Sequence, residues 1–158
     1  MPFANADVAL TLRSNTADVI PGSPPISFLN AGPMTASING GPAAAFTDQM
    51  AIFVDQTAFV VGFVDLTLGD VVLAVESNPF ATYDLKTSLG PIIGLFTVNP
   101  ATGFPTSDGL LALAGAGLAS FTASAVPEPS ALAIFAVMLA GLIRRRRHSR
   151  TAPASAGL

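Results

Sequence analysis

The chain has 158 residues, 51% of them hydrophobic and only 11% charged, with a formal net charge of −3. It contains no cysteine and one histidine, which excludes disulfides, thiolate metal centres and a thiol nucleophile. Abundant Gly, Pro, Ala, Val, Thr and Phe, with no Trp, favour strands and turns over helices.

At the N-terminus, Met1 is followed by neither a basic region nor an apolar run. Ala4-Asn5-Ala6 before Asp7 has the small-residue pattern that ends a signal peptide. The expectation is that residues 1–6 are the remnant of such a peptide, that the true start lies upstream, and that the mature protein begins near Asp7.

Residues 7–124 then supply about 120 residues, enough for one domain with a real core. Turn signals punctuate them: Pro21-Gly22-Ser23-Pro24-Pro25, Asn39-Gly40-Gly41-Pro42, Asn78-Pro79, Gly90-Pro91 and Asn99-Pro100. Between these lie apolar runs at residues 8–12, 35–38, 51–54, 58–68, 71–75 and 92–98. Leu68-Gly69-Asp70-Val71 reads as a two-residue hairpin turn with Gly first. Alternation places Phe59, Val61 and Phe63 on one face of the preceding strand and Val60, Val64, Leu66 and Leu68 on the other. Both faces are apolar, so this strand belongs near a sheet centre or under cover on both sides. Residues 109–124 read as a second hairpin, 110–113 and 118–124 joined through residues 114–117, because two glycines there weaken a helix. No internal repeat is evident. The fold class that results is mainly β, a β-sandwich exported domain followed by a single C-terminal transmembrane helix.

Chemistry-bearing constellations are scarce in this body. His148 lies in the basic tail, so no Ser-His-Asp triad or histidine metal site can form in residues 7–124. Asp65 with Asp70, or Asp55 with Glu76, are conceivable carboxylate pairs, but they read first as solvated turn and strand-edge charges. No Asp-rich loop has calcium-ligand spacing, and Gly115 and Gly117 lack the following Gly or Lys of a phosphate loop. No cofactor is expected. The body is acidic and its phenylalanines are spaced as core residues, so nucleic acid is not an expected partner.

The C-terminal region is organised differently. Pro127-Glu128-Pro129 is a stiff, extended tripeptide that cannot join a helix. Ser130 is an N-cap candidate, with Glu128 close to the positive helix end. Every residue in 131–143 is apolar or Gly, which is what a membrane span looks like. The run rises only about 21 Å as a helix, against a hydrocarbon core of about 30 Å. Arg144, Arg145, Arg146 and Arg147 follow directly as a basic stop, and their snorkelling extends the reach. Charge asymmetry keeps these arginines cytoplasmic and leaves everything before Ser130 outside. All ten acidic residues precede the span, and only Arg13 and Lys86 are basic on that side.

Residues 125–147 thus resemble a PEP-CTERM protein-sorting domain, a signal on exported proteins of Gram-negative bacteria. Such bacteria often have exopolysaccharide or biofilm systems. The resemblance maps the recognition element onto Pro127, Glu128 and Pro129, the hydrophobic helix onto residues 131–143, and the basic terminus onto Arg144, Arg145, Arg146 and Arg147. It implies processing by an exosortase, an integral membrane enzyme that cuts near the motif in a transpeptidase-type reaction. It further implies the membrane lipid and exopolysaccharide as partners, and a final location in the periplasm, cell surface or extracellular matrix. Residues 148–158 form a cytoplasmic tail longer than the family's usual few residues. The leading reading is a non-catalytic exported surface or matrix protein. The alternatives are an unprocessed single-pass membrane protein with an acidic outer domain, or a glycan-acting enzyme using two carboxylates.

Overall fold

A computed structural model of the chain describes residues 6–99 and 103–125. In chain order its strands are β1 (Val8–Leu12), β2 (Ile20–Pro21), β3 (Phe28–Ala31), β4 (Met34–Ile38), β5 (Ala44–Ala45) and β6 (Met50–Asp55). They continue with β7 (Val60–Asp65), β8 (Asp70–Glu76), β9 (Leu89–Val98), β10 (Phe104–Thr106), β11 (Gly109–Leu111) and β12 (Gly117–Ala123). Two short 3-10 turns, Thr16–Asp18 and Asn78–Thr82, interrupt them. All belong to one unit, Met1–Ala125. The protein is mainly β, as its composition predicts.

The largest sheet is antiparallel, with seven strands in the order β12-β9-β8-β7-β6-β3-β2. β7 lies at its centre, which satisfies the expectation from its two apolar faces. Along β6 and β7, register pairs Met50 with Asp65, Ile52 with Phe63 and Val54 with Val61. These residues share one face, and most of them belong to the two larger core clusters. The alternate residues Ala51, Phe53 and Val64 form a smaller cluster on the opposite face. A bulge in β8 pairs Phe63 with Leu73 and Val64 with Val71. Val72 is left without a partner and turns into the inner cluster, fully buried beside Phe63.

That inner cluster also contains Met34 and Ala36 from β4, with Leu10 and Leu12 of β1 packed against it. The sheet β1-β4-β5 therefore shares an apolar core with the large sheet. Phe104 of β10 and Leu111 of β11 close the same cluster. At the other end, Phe80 and Tyr83 meet Phe121 of β12 edge-on, with centroids 5.5 and 6.0 Å apart. These rings anchor the last strand.

Four expectations need correction. The run 58–68 is not one strand: β7 covers only Val60–Asp65. Phe59, Leu66 and Leu68 lie in turns and are 41%, 38% and 50% exposed, so they join neither face. The hairpin turn is not the two-residue type. Asp65 pairs with Asp70 around a four-residue loop in which Gly69 comes last, at φ +75°. Residues 109–124 are strands rather than helix but do not form a hairpin: β11 pairs with β10, while β12 pairs with β9. Gly90-Pro91, read as a break, lies within β9. Among the described residues no helix is long and apolar enough to cross a membrane. The expected span, residues 131–143, lies outside them.

Candidate functional site

The residues singled out for sorting lie outside the described residues: Pro127, Glu128, Pro129 and the arginines 144–147. So do His148 and most of the expected signal-peptide remnant. The described chain ends at Ala125, two residues before Pro127. β12 is an edge strand of the large sheet, and beyond it the Ala125 amide donates to Ser88 Oγ at 2.9 Å. The last described residue is thereby tied to the residue preceding β9.

Within the body the carboxylates are the groups with most chemistry, and the turns explain where they sit. Asp55 Oδ1 accepts from the amides of Thr57 and Ala58, both at 2.9 Å. Asp65 Oδ1 accepts from Thr67 and Leu68, at 2.8 and 3.0 Å. Each loop then closes on a residue at positive φ, Phe59 at 59° and Gly69 at 75°. Val54-Asp55-Gln56-Thr57 and Val64-Asp65-Leu66-Thr67 are thus one turn used twice, ten residues apart in the sequence. Aspartate fits because its short carboxylate reaches the amides two and three residues on. This local repeat is written in the V-D-x-T pattern, but its meaning as a turn shows only once the turn length is known.

The predicted pairs divide accordingly. Asp65 and Asp70 are register partners across the β7–β8 turn. Asp55 and Glu76 flank Val60 from opposite sides, two strands apart. The reading of Asp55 and Asp65 as solvated turn charges needs correction: they are turn residues, but 9% and 0% exposed. Both stand on the central strands, where neighbouring strands close over the turn base.

The structure adds a carboxylate that sequence reasoning did not single out. Asp48 stands two residues before Met50, in the bend that leads into β6. The Leu66 amide donates to the Gln49 carbonyl at 2.8 Å, so pairing continues past the strand ends. Asp48 therefore stands diagonally across from Asp65. Burial raises the Asp48 pKa above its ordinary value, and the charge of Asp65 adds to the rise. Asp65 Oδ2 is buried with no hydrogen-bond partner. The signal for Asp48 was its place two residues before Met50, usable only once the Met50–Asp65 register was known.

An open groove of about 680 Å³ lies elsewhere on the domain, lined by Leu10, Ile52, Phe63, Leu73, Phe96 and Phe121 among others. Asn30 lies at this groove and is buried, with its amide occupied: Ser14 Oγ donates to its Oδ1 at 2.5 Å, and its Nδ2 donates to Asn15 O at 3.0 Å. Among the described residues no three His, Cys, Asp or Glu side chains cluster as a metal site.

Against known proteins, the model of one family, the PEP-CTERM protein-sorting motif, matches residues 125–147. No curated protein and no solved structure matches the chain at a significant level.

Proposed function

We propose, from the PEP-CTERM protein-sorting motif at residues 125–147, that the chain is an exported protein whose C-terminal signal is processed by an exosortase. The body is then cargo: a non-catalytic β-sandwich that reaches the cell surface or extracellular matrix, where exopolysaccharide is its neighbour. The motif match is the observation that carries this reading. It falls on the segment where an extended Pro127-Glu128-Pro129, an apolar run and four arginines follow one another. Supporting a non-catalytic role, Asp55 and Asp65 are engaged in turn capping.

Export places residues before Ser130 outside the cytoplasmic membrane, with Arg144, Arg145, Arg146 and Arg147 held inside until cleavage. The test is the intact mass of the mature protein from its own cells, beside that of Glu128→Ala. The wild type should lack the apolar run and the arginines, while the variant accumulates as the longer precursor. A wild-type mass retaining residues 144–158 would overturn the proposal and leave a plain membrane-anchored domain.

A further inference from the structure

Asp65 combines two features that a folded domain rarely tolerates together. It is fully buried, and its Oδ2 has no hydrogen-bond donor although Oδ1 has two. A buried, unpaired carboxylate oxygen is costly, and a second carboxylate beside it makes matters worse. That second carboxylate is Asp48, placed alongside by the Met50–Asp65 register and the Leu66–Gln49 hydrogen bond. Among the described residues the only basic side chains are Arg13 and Lys86. Neither Arg13 nor Lys86 acts on Asp48, whose only charged neighbour of note is Asp65.

We propose that Asp48 and Asp65 Oδ2 bind one calcium ion at the β6–β7 end of the large sheet. The oxygen-only donor set suits a hard cation, and two carboxylates match its charge. Calcium is favoured over magnesium because it accepts irregular geometry, whereas these ligands are fixed by a strand end and a turn. Asp65 Oδ1 is committed to the turn amides, so Asp65 binds through one oxygen, and Asp48, half-buried, opens the site to solvent and water ligands. The affinity expected of so small a set is in the range of about 10⁻⁴–10⁻³ M, typical of extracellular modules. The site is independent of the sorting signal.

The test is thermal unfolding of the full chain in detergent at pH 7, after chelator treatment, with CaCl₂ from zero to 10 mM. A dissociation constant of about 1 mM gives an about tenfold gain in the folding constant at the upper limit, or a midpoint rise of about 5 °C. Asp48→Asn should unfold at or above the wild-type midpoint in chelator and show no calcium response. Asp18→Asn, an exposed carboxylate elsewhere, should keep the full response. A wild-type midpoint that ignores calcium overturns the site, leaving a carboxyl pair that shares a proton. An equal response in Asp48→Asn, a lost response in Asp18→Asn, or an equal effect of MgCl₂ also overturns it.

Discussion

Replacing Asp55 and Asp65 in parallel separates what a turn cap contributes from what a buried, unpaired oxygen costs. Asp55→Ala removes the acceptor of two amide hydrogen bonds, both 2.9 Å. Hydrogen bonds to charged groups contribute about 1.5–3 kcal/mol each when buried. Thr57 and Ala58 are exposed, so water recovers part of that, and the net cost should be about 2 kcal/mol, as for loss of a strong helix cap. Asp65→Ala loses an equivalent pair of bonds, but it also removes Oδ2 and its repulsion of Asp48. It should therefore cost less than Asp55→Ala. Asp65→Asn keeps the acceptor and places a donor where Oδ2 was, facing Asp48, so in chelator it should match or exceed wild type. The assay is urea unfolding in chelator followed by the fluorescence of Tyr83, the sole tyrosine in a chain without tryptophan. With a slope of about 2 kcal/mol/M, the Asp55→Ala midpoint should fall by about 1 M. If Asp65→Asn is destabilised as much as Asp65→Ala, Oδ2 has a donor and the account of this pair fails.

Gly62 faces Phe53 across β6–β7, and a Cβ there would stand 2.7 Å from two ring atoms and 2.8 Å from the Leu73 carbonyl oxygen. Gly62→Ala should cost about 1–3 kcal/mol in urea unfolding, and Phe53→Leu in the same chain should restore part of it. Phe80→Ala empties a fully buried site and its edge-on contact with Phe121, for a loss of about 3–5 kcal/mol by the same assay. Burial, with a smaller contribution from the charge of Asp84, pushes the Tyr83 pKa up to about 12. The fold favours the neutral phenol, so this stabilisation is whole below pH 10, the ordinary value, and is lost as pH rises towards 12. Absorbance at about 295 nm should show tyrosinate appearing together with loss of the β circular dichroism signal. Ionisation near pH 10 with the fold intact would refute it.

The sequence by itself determined the elements whose information is local. Val8–Leu12, the centre of β4, β6 and β8, and the all-β character follow from alternating apolar residues between Pro, Gly and Asn breaks. The sorting motif is equally local, a linear order of proline rod, apolar run and arginine block, and the family match falls on it. Turn length was not legible, because Gly69 suits either end of a turn. The aspartate cap that decides between them is a hydrogen bond, not a composition. Nor was the pairing of β12 with β9 rather than β11, since strand partners are chosen by which apolar faces must be buried together: Phe121 finds Phe80 and Tyr83, not Leu111. The Asp48–Asp65 contact is the most tertiary feature of all. It joins residues seventeen apart in the sequence through a register that only the assembled sheet fixes, and that assembly alone brought a half-buried carboxylate beside a buried one.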